Sequence, residues 1–234
     1  MGKRPTQAAP PTGVLDRALY LLSFFSQDRS YLQLNEIASL SGLDKATALR
    51  ALKIMVAWEY LIKRPDGAYT PGPAHLRMAA IFRQSSNFVQ RLEGPIMTIS
   101  ARIGQTTSFF VRSGADRVCL ARDNVHRDFR YYIEIGASVP LQDGGAAAQM
   151  LLAWTDPQNE AAHRTKERGY YISRGERNRH LASIAIPVSE RDGQFLGVVT
   201  ITGMAVDLDD ATLIEFAGIV ASEVARAGFD TPLS

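Results

Sequence analysis

Between Asn35 and Thr70 the chain sets down an apolar-faced helix, a glycine, a second helix and a hairpin signal in quick succession, and no other stretch narrows its fold as far. Ile37, Ala38 and Leu40 fall on a helix that Asn35 is placed to cap. Gly42 ends it, because glycine takes the left-handed conformation that turns a chain sharply. Asp44 is the expected cap of the next helix, where Ala48, Ala51, Leu52 and Met55 recur at i, i+3, i+4 and i+7 and predict one buried stripe. The opposite face carries Ala46, Leu49, Arg50 and Lys53, with Lys45 and Thr47 in the first turn. Upstream, Val14, Leu15, Ala18, Leu19, Leu22 and Phe25 predict a helix from Leu15 to Ser26, and Tyr31–Leu34 reads as a short extended piece. Downstream, Tyr60–Arg64, the turn Pro65-Asp66-Gly67 and Ala68–Thr70 predict a hairpin. This order is that of a winged helix-turn-helix over residues 14–72, preceded by a Pro-rich tail, residues 1–13, expected to be disordered.

Charge agrees with that reading. The net charge of +2 hides an asymmetry: residues 1–92 hold 12 Lys/Arg against 6 Asp/Glu and the remainder 14 against 18, so the first part is +6 and the second −4. A basic module joined to a mildly acidic one points to a polyanion, double-stranded DNA, as a partner of the first alone. Arg50 has the fork geometry for a guanine edge or a phosphate, Lys45 and Lys63 suit phosphate, and Lys53 extends the basic face. Thr47 suits base or phosphate, Leu49 a thymine methyl, and Arg64 the minor groove or its phosphate edge.

Length and composition bound the rest. A chain of 234 residues fits two domains of ordinary size. Apolar residues make up 46% and charged residues 21%, with no apolar run near the roughly 18 residues of a membrane span. No apolar stretch precedes the first helix, so a cytoplasmic location and no membrane partner are expected. Cys119 is the only cysteine, which excludes an internal disulfide or a thiolate metal cluster, and it reads as a buried thiol. His75, His126, His163 and His180 lie far apart in sequence, so neither metal nor cofactor is expected. The chain has no Gly-x-Ser-x-Gly and no Gly-Lys phosphate loop, and an enzyme is not expected.

Leu76, Ala79, Ala80 and Arg83 predict a linker helix from Pro73 to about Val89, in a linker of residues 73–91, whose apolar side suits a second subunit. Residues 92–234 form the second domain, opened by a helix bearing Leu92, Ile96, Ile99 and Ile103 and continued by β-rich runs at Thr106–Val111, Arg117–Ala121 and Phe129–Ile135. The overall class is α+β with an antiparallel sheet. Gly144–Ala148 opens a helix almost bare of side chains, which either faces a ligand or packs closely against backbone. If Asp192-Gly193 is a two-residue turn, Arg191 faces Gln194, Ser183 lies opposite Thr202 and Ala185 opposite Thr200. One face then carries small hydroxyls and the other Ile184, Ile186, Val199 and Ile201. The hydroxyl face is either a water-facing surface or a pocket floor able to hold a carboxylate. Phe129 and Tyr131 alternate onto one side of their run and suit an aromatic ring, so a small organic or aromatic acid is the expected ligand. Arg174, Arg177 and Arg179 form a basic loop that either faces water or attracts an anionic ligand, and Leu213, Phe216, Val220 and Val224 the buried stripe of a last helix from Asp210 to Ala227.

Leu34-Asn-Glu-Ile-Ala-x-x-x-Gly42-Leu43 and Lys45-Ala-Thr-Ala-Leu-Arg50-Ala-Leu52, with Tyr60-Leu61 and the hairpin behind them, resemble the DNA-binding half of the IclR family. Gly169-Tyr170, Ser173, Gly175-Glu176 and Ile184–Val188 extend the likeness through the second half. The resemblance implies a winged helix-turn-helix, a linker helix and a GAF-like effector-binding domain, acting as a homodimer or homotetramer on operator DNA. It also implies that Leu141, Gly145, Ala146, Ser173, Ser183, Thr200 and Thr202 border an effector pocket. Departures are Asp44, Ala46, Leu49, Gln142 and Ala148-Gln149, and a single short helix between Trp154 and Gly169.

Overall fold

The computed structural model describes residues 10–123, 133–156 and 160–233. The chain divides into two compact units that meet in sequence between Ser85 and Ser86. The first comprises α1 (Val14–Leu22), α2 (Leu34–Ser41), α3 (Lys45–Ala57), the hairpin β1 (Leu61–Lys63) and β2 (Tyr69–Pro71), and α4 (Ala74–Ser85).

Its core is Leu21, Leu32, Ile37, Ala48, Leu52, Met55, Leu61 and Tyr69. The α3 stripe is buried as its spacing predicts, Gly42 ends α2 at φ +68°, and the Asp44 carboxylate accepts from the Thr47 N–H at 2.9 Å. Other boundaries move. Gln33, not Asn35, caps α2, with its N–H held by the Glu36 carboxylate at 2.7 Å, so Asn35 lies inside the helix. Helix α1 ends at Leu22 rather than Ser26, since Phe24 and Phe25 donate back three residues and the Ser23 hydroxyl bonds the Tyr20 carbonyl at 2.7 Å. Leu15 and Leu19 face solvent, because the buried side of α1 runs through Leu21 and the flanking Ala18 and Leu22, and Leu40 does so because α2 buries Ile37, Ala38 and Ser41 instead. The hairpin loop has three residues: Arg64 N–H donates to Ala68, Gly67 takes φ +83°, and Asp66 accepts from the Ala68 N–H at 3.0 Å. Leu32 forms an isolated antiparallel bridge with Tyr69, so the extended piece lies against the hairpin through one residue pair without becoming a strand.

The second unit comprises α5 (Asn87–Ile103), β3 (Thr106–Ser113), β4 (Asp116–Asp123), β5 (Ser138–Pro140), α6 (Ala146–Thr155), α7 (Glu160–Arg168), β6 (Tyr171–Arg174), β7 (Leu181–Glu190), β8 (Phe195–Met204), α8 (Asp210–Arg226) and β9 (Phe229–Asp230). The linker pattern is not one helix to Val89: Ser86, at φ −88° and ψ 82°, leaves helical geometry and separates α4 from α5. The strand pairing with β4 is Ser138–Pro140, and the expected run Phe129–Ile135 is not a strand at Ile133–Ile135, its other residues lying outside the described ones. The sheet order is β5-β4-β3-β8-β7-β6 with β9 on β7, all antiparallel.

The β7–β8 pairing sets Ser183 opposite Thr202, Ala185 opposite Thr200 and Ile184 opposite Ile201, as expected, although the turn differs. Glu190 N–H donates to Gln194 across a three-residue loop with Gly193 at φ +86°, and a bulge between Val188 and Ser189 restores the register. One sheet face packs Phe109, Ile184, Ile186, Val199 and Ile201 against α5 and α8. The other carries Phe110, Cys119, Ala185 and Val198 under α6.

Candidate functional site

On the first unit the outer face of α3 is solvated. Lys45, Arg50 and Lys53 are exposed, Thr47 and Leu49 half-buried. Arg50 Nη2 donates to Thr47 Oγ1 at 2.9 Å, which fixes the fork over the first turn. Asp44 sits there too, its carboxyl held below the usual carboxylate range by the Thr47 hydroxyl and N–H. Lys63 projects from β1. Arg64 is engaged: its Nε is 3.3 Å from Asp66 and its guanidinium lies 5.2 Å from the Tyr31 ring centroid, so reaching a phosphate means leaving Asp66. His75 is structural, its Nε2 bonding the Tyr60 carbonyl at 2.9 Å.

In the second unit a cleft enclosing about 510 Å³, its open mouth included, lies on the α6 side of the sheet. Gly145, Ala146, Ser173, Ser183, Thr200 and Thr202 all line it. The hydroxyl face lines this cleft, with Ser173 and Thr200 buried and Ser183 and Thr202 half-buried, because Ser173 pairs with Ser183, Ser183 with Thr202, and Thr200 stands two residues from Thr202 on β8. Leu141 is buried in the core beneath α6 and is not among the lining residues. Phe129 and Tyr131 lie outside the described residues.

The helix start is not vacant. Glu176 accepts from the Gly145 N–H at 3.0 Å and from the Tyr171 hydroxyl at 3.0 Å, placing a carboxylate where the α6 dipole favours one. The three loop arginines do not converge. Arg174 pairs with Asp210 at 2.6 Å, Arg179 donates to His180 at 3.0 Å, and only Arg177 lines the cleft.

Sequence reasoning missed Arg117. It is 3% exposed, lines the cleft, and donates through Nη1 to the Gly144 carbonyl at 2.8 Å. Burial first, and then the positive Arg177, lowers its pKa to about 10, so the guanidinium stays charged at neutral pH. The signal was available: Arg117 stands two residues before Cys119 on β4, in phase with positions predicted to be buried. Phe110, Ala147 and Leu181 were missed as well, and an unbroken apolar or small-residue run marks none of them as lining rather than core. Cys119 is a buried free thiol whose pKa burial pushes up to about 12, which makes it inert as a nucleophile near neutrality. No metal-binding cluster occurs among the described residues, and no helix among them is long and apolar enough to cross a membrane.

A three-helix head with a hairpin wing and a cationic outer helix face is the architecture of a winged helix-turn-helix regulator. Residues 14–65 match the IclR helix-turn-helix domain. Over 228 residues the chain is 23% identical to the HTH-type transcriptional regulator XynR of Escherichia coli, covering 86% of this chain and 90% of the relative. A putative IclR regulator from Silicibacter sp. TM1040 superposes with a TM-score of 0.78 at 22% identity, over 92% of this chain and 96% of that one. An IclR homologue from Microbacterium hydrocarbonoxydans, solved with 4-hydroxybenzoate, superposes with a TM-score of 0.71 at 19% identity, over 92% and 100%. Residues 14–65 thus carry an IclR-type helix-turn-helix domain, and over most of its length the chain is similar to IclR-type transcriptional regulators.

Proposed function

We propose that the chain is an operator-binding regulator whose grip on double-stranded DNA is modulated by a small organic or aromatic acid held in the second unit. In this reading α3 enters the major groove with Lys45, Thr47, Leu49, Arg50 and Lys53 towards the DNA, and the wing brings Lys63 and Arg64 to the flanking backbone. The effector occupies the cleft bounded by Gly145, Ala146, Ser173, Ser183, Thr200 and Thr202. The observation that carries the reading is the cleft itself, a partly apolar cavity with a floor of hydroxyls. The structural neighbour solved with 4-hydroxybenzoate supports an aromatic acid as one candidate.

The reading includes self-association as a homodimer or homotetramer, which reading a two-fold operator requires. Met78, Ile81 and Phe82 lie at i, i+3 and i+4 on α4 and are 52%, 55% and 45% exposed. On α1, Leu15 and Leu19 are 71% and 57% exposed. Apolar stripes of this kind on a solvated domain are surfaces for a second copy to cover.

The test is the double variant Ser183→Val with Thr202→Val, measured by calorimetry against benzoate, 4-hydroxybenzoate and aliphatic monocarboxylates. Each hydrogen bond lost costs about 0.5 to 1.5 kcal/mol, and more where it meets a charged group, so the two losses together should lower affinity about fivefold or more for each acid the parent binds, with operator affinity intact. Unchanged acid affinity would show that the hydroxyl floor is not the binding site.

A further inference from the structure

Two buried polar atoms in the cleft are left without a hydrogen-bond partner among the described residues: Arg117 Nε and Thr200 Oγ1. Both side chains are deeply buried, Arg117 at 3% and Thr200 at 4% exposure, and both line the same cavity. Buried donors are nearly always paired, so two orphans in one cleft mark places where a bound molecule completes the network.

Their spacing follows from the strand register. Arg117 pairs with Arg112 on β3, and Thr200 pairs with Ser108 on the same strand. They are thus two strands and four register positions apart, about 10 Å across and 13 Å along the sheet at the backbone. At that backbone spacing the two orphans are placed to meet two different groups on one ligand.

Charge decides which group goes where. Arg117 is a cation, Arg177 a second one, and Glu176 the opposing anion among the lining residues, which leaves the lining one positive charge in excess, with Asp143 acting on Arg117 from beyond it. Glu176 also holds the Gly145 N–H, so the start of α6 already has its anion and does not require the ligand's. Thr200 offers a neutral hydroxyl that donates and accepts. Phe110 lies on β3 between the register positions of the two ends, and Ala146 and Ala147 add apolar lining to the same cleft.

Resting on the effector reading above, we infer that the ligand is a hydroxy- or oxo-monocarboxylic acid with a compact apolar body, its carboxylate bound by Arg117 and its neutral oxygen by Thr200. The guanidinium Nε aimed at no partner supplies the charged hydrogen bond, and a carboxylate there restores the solvation that burial removed. Gly145 suits this arrangement: at φ +88° it tolerates no side chain without strain, and an added Cβ would stand 3.9 Å from Arg117 Nη2.

The experiment uses the full-length protein with 3-hydroxybenzoate, 4-hydroxyphenylacetate and 4-hydroxybutyrate, each beside its primary amide and its deoxy acid, in thermal-shift and calorimetric titrations. At least one hydroxy acid should raise the melting temperature. Its amide should bind at least tenfold more weakly through loss of charge, and its deoxy acid several-fold more weakly. Arg117→Met should lower the affinity for that acid at least tenfold while reducing the preference of acid over amide to about one. Arg117→Lys keeps the charge without the fork and should retain part of both, which separates lost recognition from a damaged fold. Circular dichroism and urea unfolding of each variant report the folding of the second unit independently of the ligand. If none of the three acids stabilises the parent, or if Arg117→Met binds the acid as the parent does, the assignment is overturned. Loss in Ser183→Val/Thr202→Val without loss in Arg117→Met would remove Arg117 and leave the cleft as the effector site, whereas binding unchanged in both would remove the cleft as well.

Discussion

The outer face of α3 and the floor of the cleft are both polar, yet they rest on opposite physical terms. Arg50 and Lys53 stand in water on a helix whose stability comes from Ala48, Ala51, Leu52 and Met55 on the other side. Arg117 and Thr200 are buried in the sheet that forms the second unit's core, where an unpaired polar group costs stability. A solvated reading face can therefore change without touching the fold. On the proposed reading a buried floor couples fold and ligand, because what a ligand would satisfy the empty protein leaves unsatisfied.

The sharpest way to break that comparison is on the inner side of the reading helix. Leu52 is 0% exposed, and Leu52→Ala should destabilise the first unit by about 2 to 5 kcal/mol through lost burial and a residual cavity. Urea unfolding followed by circular dichroism measures it. A loss below about 1 kcal/mol would mean that α3 is not anchored by this stripe, and the separation of faces would fail.

Next comes the outer side. Arg50→Ala should leave unfolding free energy within about 0.5 kcal/mol of the parent, yet weaken operator binding by about 1 to 3 kcal/mol and narrow the gap to random DNA. Lys63→Ala should weaken operator and random DNA alike, and lower the salt dependence by about one unit of slope. Titrations at two salt concentrations distinguish the two outcomes. An Arg50→Ala protein that binds its operator as the parent does would remove Arg50 from the reading face.

The two regions were also unequally legible. The helix-turn-helix is written in local terms: a glycine at φ +68°, an aspartate cap and a four-residue apolar stripe, each deciding its own neighbourhood. Where that reading slipped, a second local bond had won, as when Glu36 drew the α2 cap back to Gln33. The β7–β8 register was legible despite a misread turn, since the extra loop residue at Asp192-Gly193 is offset by the bulge at Val188/Ser189. Alternation fixes which face is buried even when the loop is wrong. The cleft was only half legible. Its hydroxyls followed from register, but Arg117 arrives from a strand two places away, and Glu176 reaches the start of α6 from 31 residues downstream. Long-range closure of this kind leaves no periodic trace. Arg117 left one faint mark, a charge at a buried phase of β4, which a pattern search reads as noise unless it asks what the charge is for.

The smallest expected effect tests the other half of the comparison, that the empty cleft floor costs the fold something. Thr200 Oγ1 is buried without a partner, so replacing the hydroxyl by a methyl of nearly the same shape removes a desolvation penalty and leaves the packing in place. Thr200→Val should therefore stabilise the ligand-free second unit by about 1 kcal/mol, a rise of a few degrees in its melting temperature. On α3 the corresponding change, Thr47→Val, should act in the opposite direction, because the Thr47 hydroxyl accepts from Arg50 and supports the Asp44 cap. Thr200→Val should also reduce the stabilisation gained from a bound hydroxy acid, so that parent and variant melting temperatures converge as the acid is titrated in. Calorimetric scans with and without acid decide it. If Thr200→Val melts lower than the parent in the absence of ligand, the hydroxyl is already satisfied in the free protein and the floor is not waiting for a partner there.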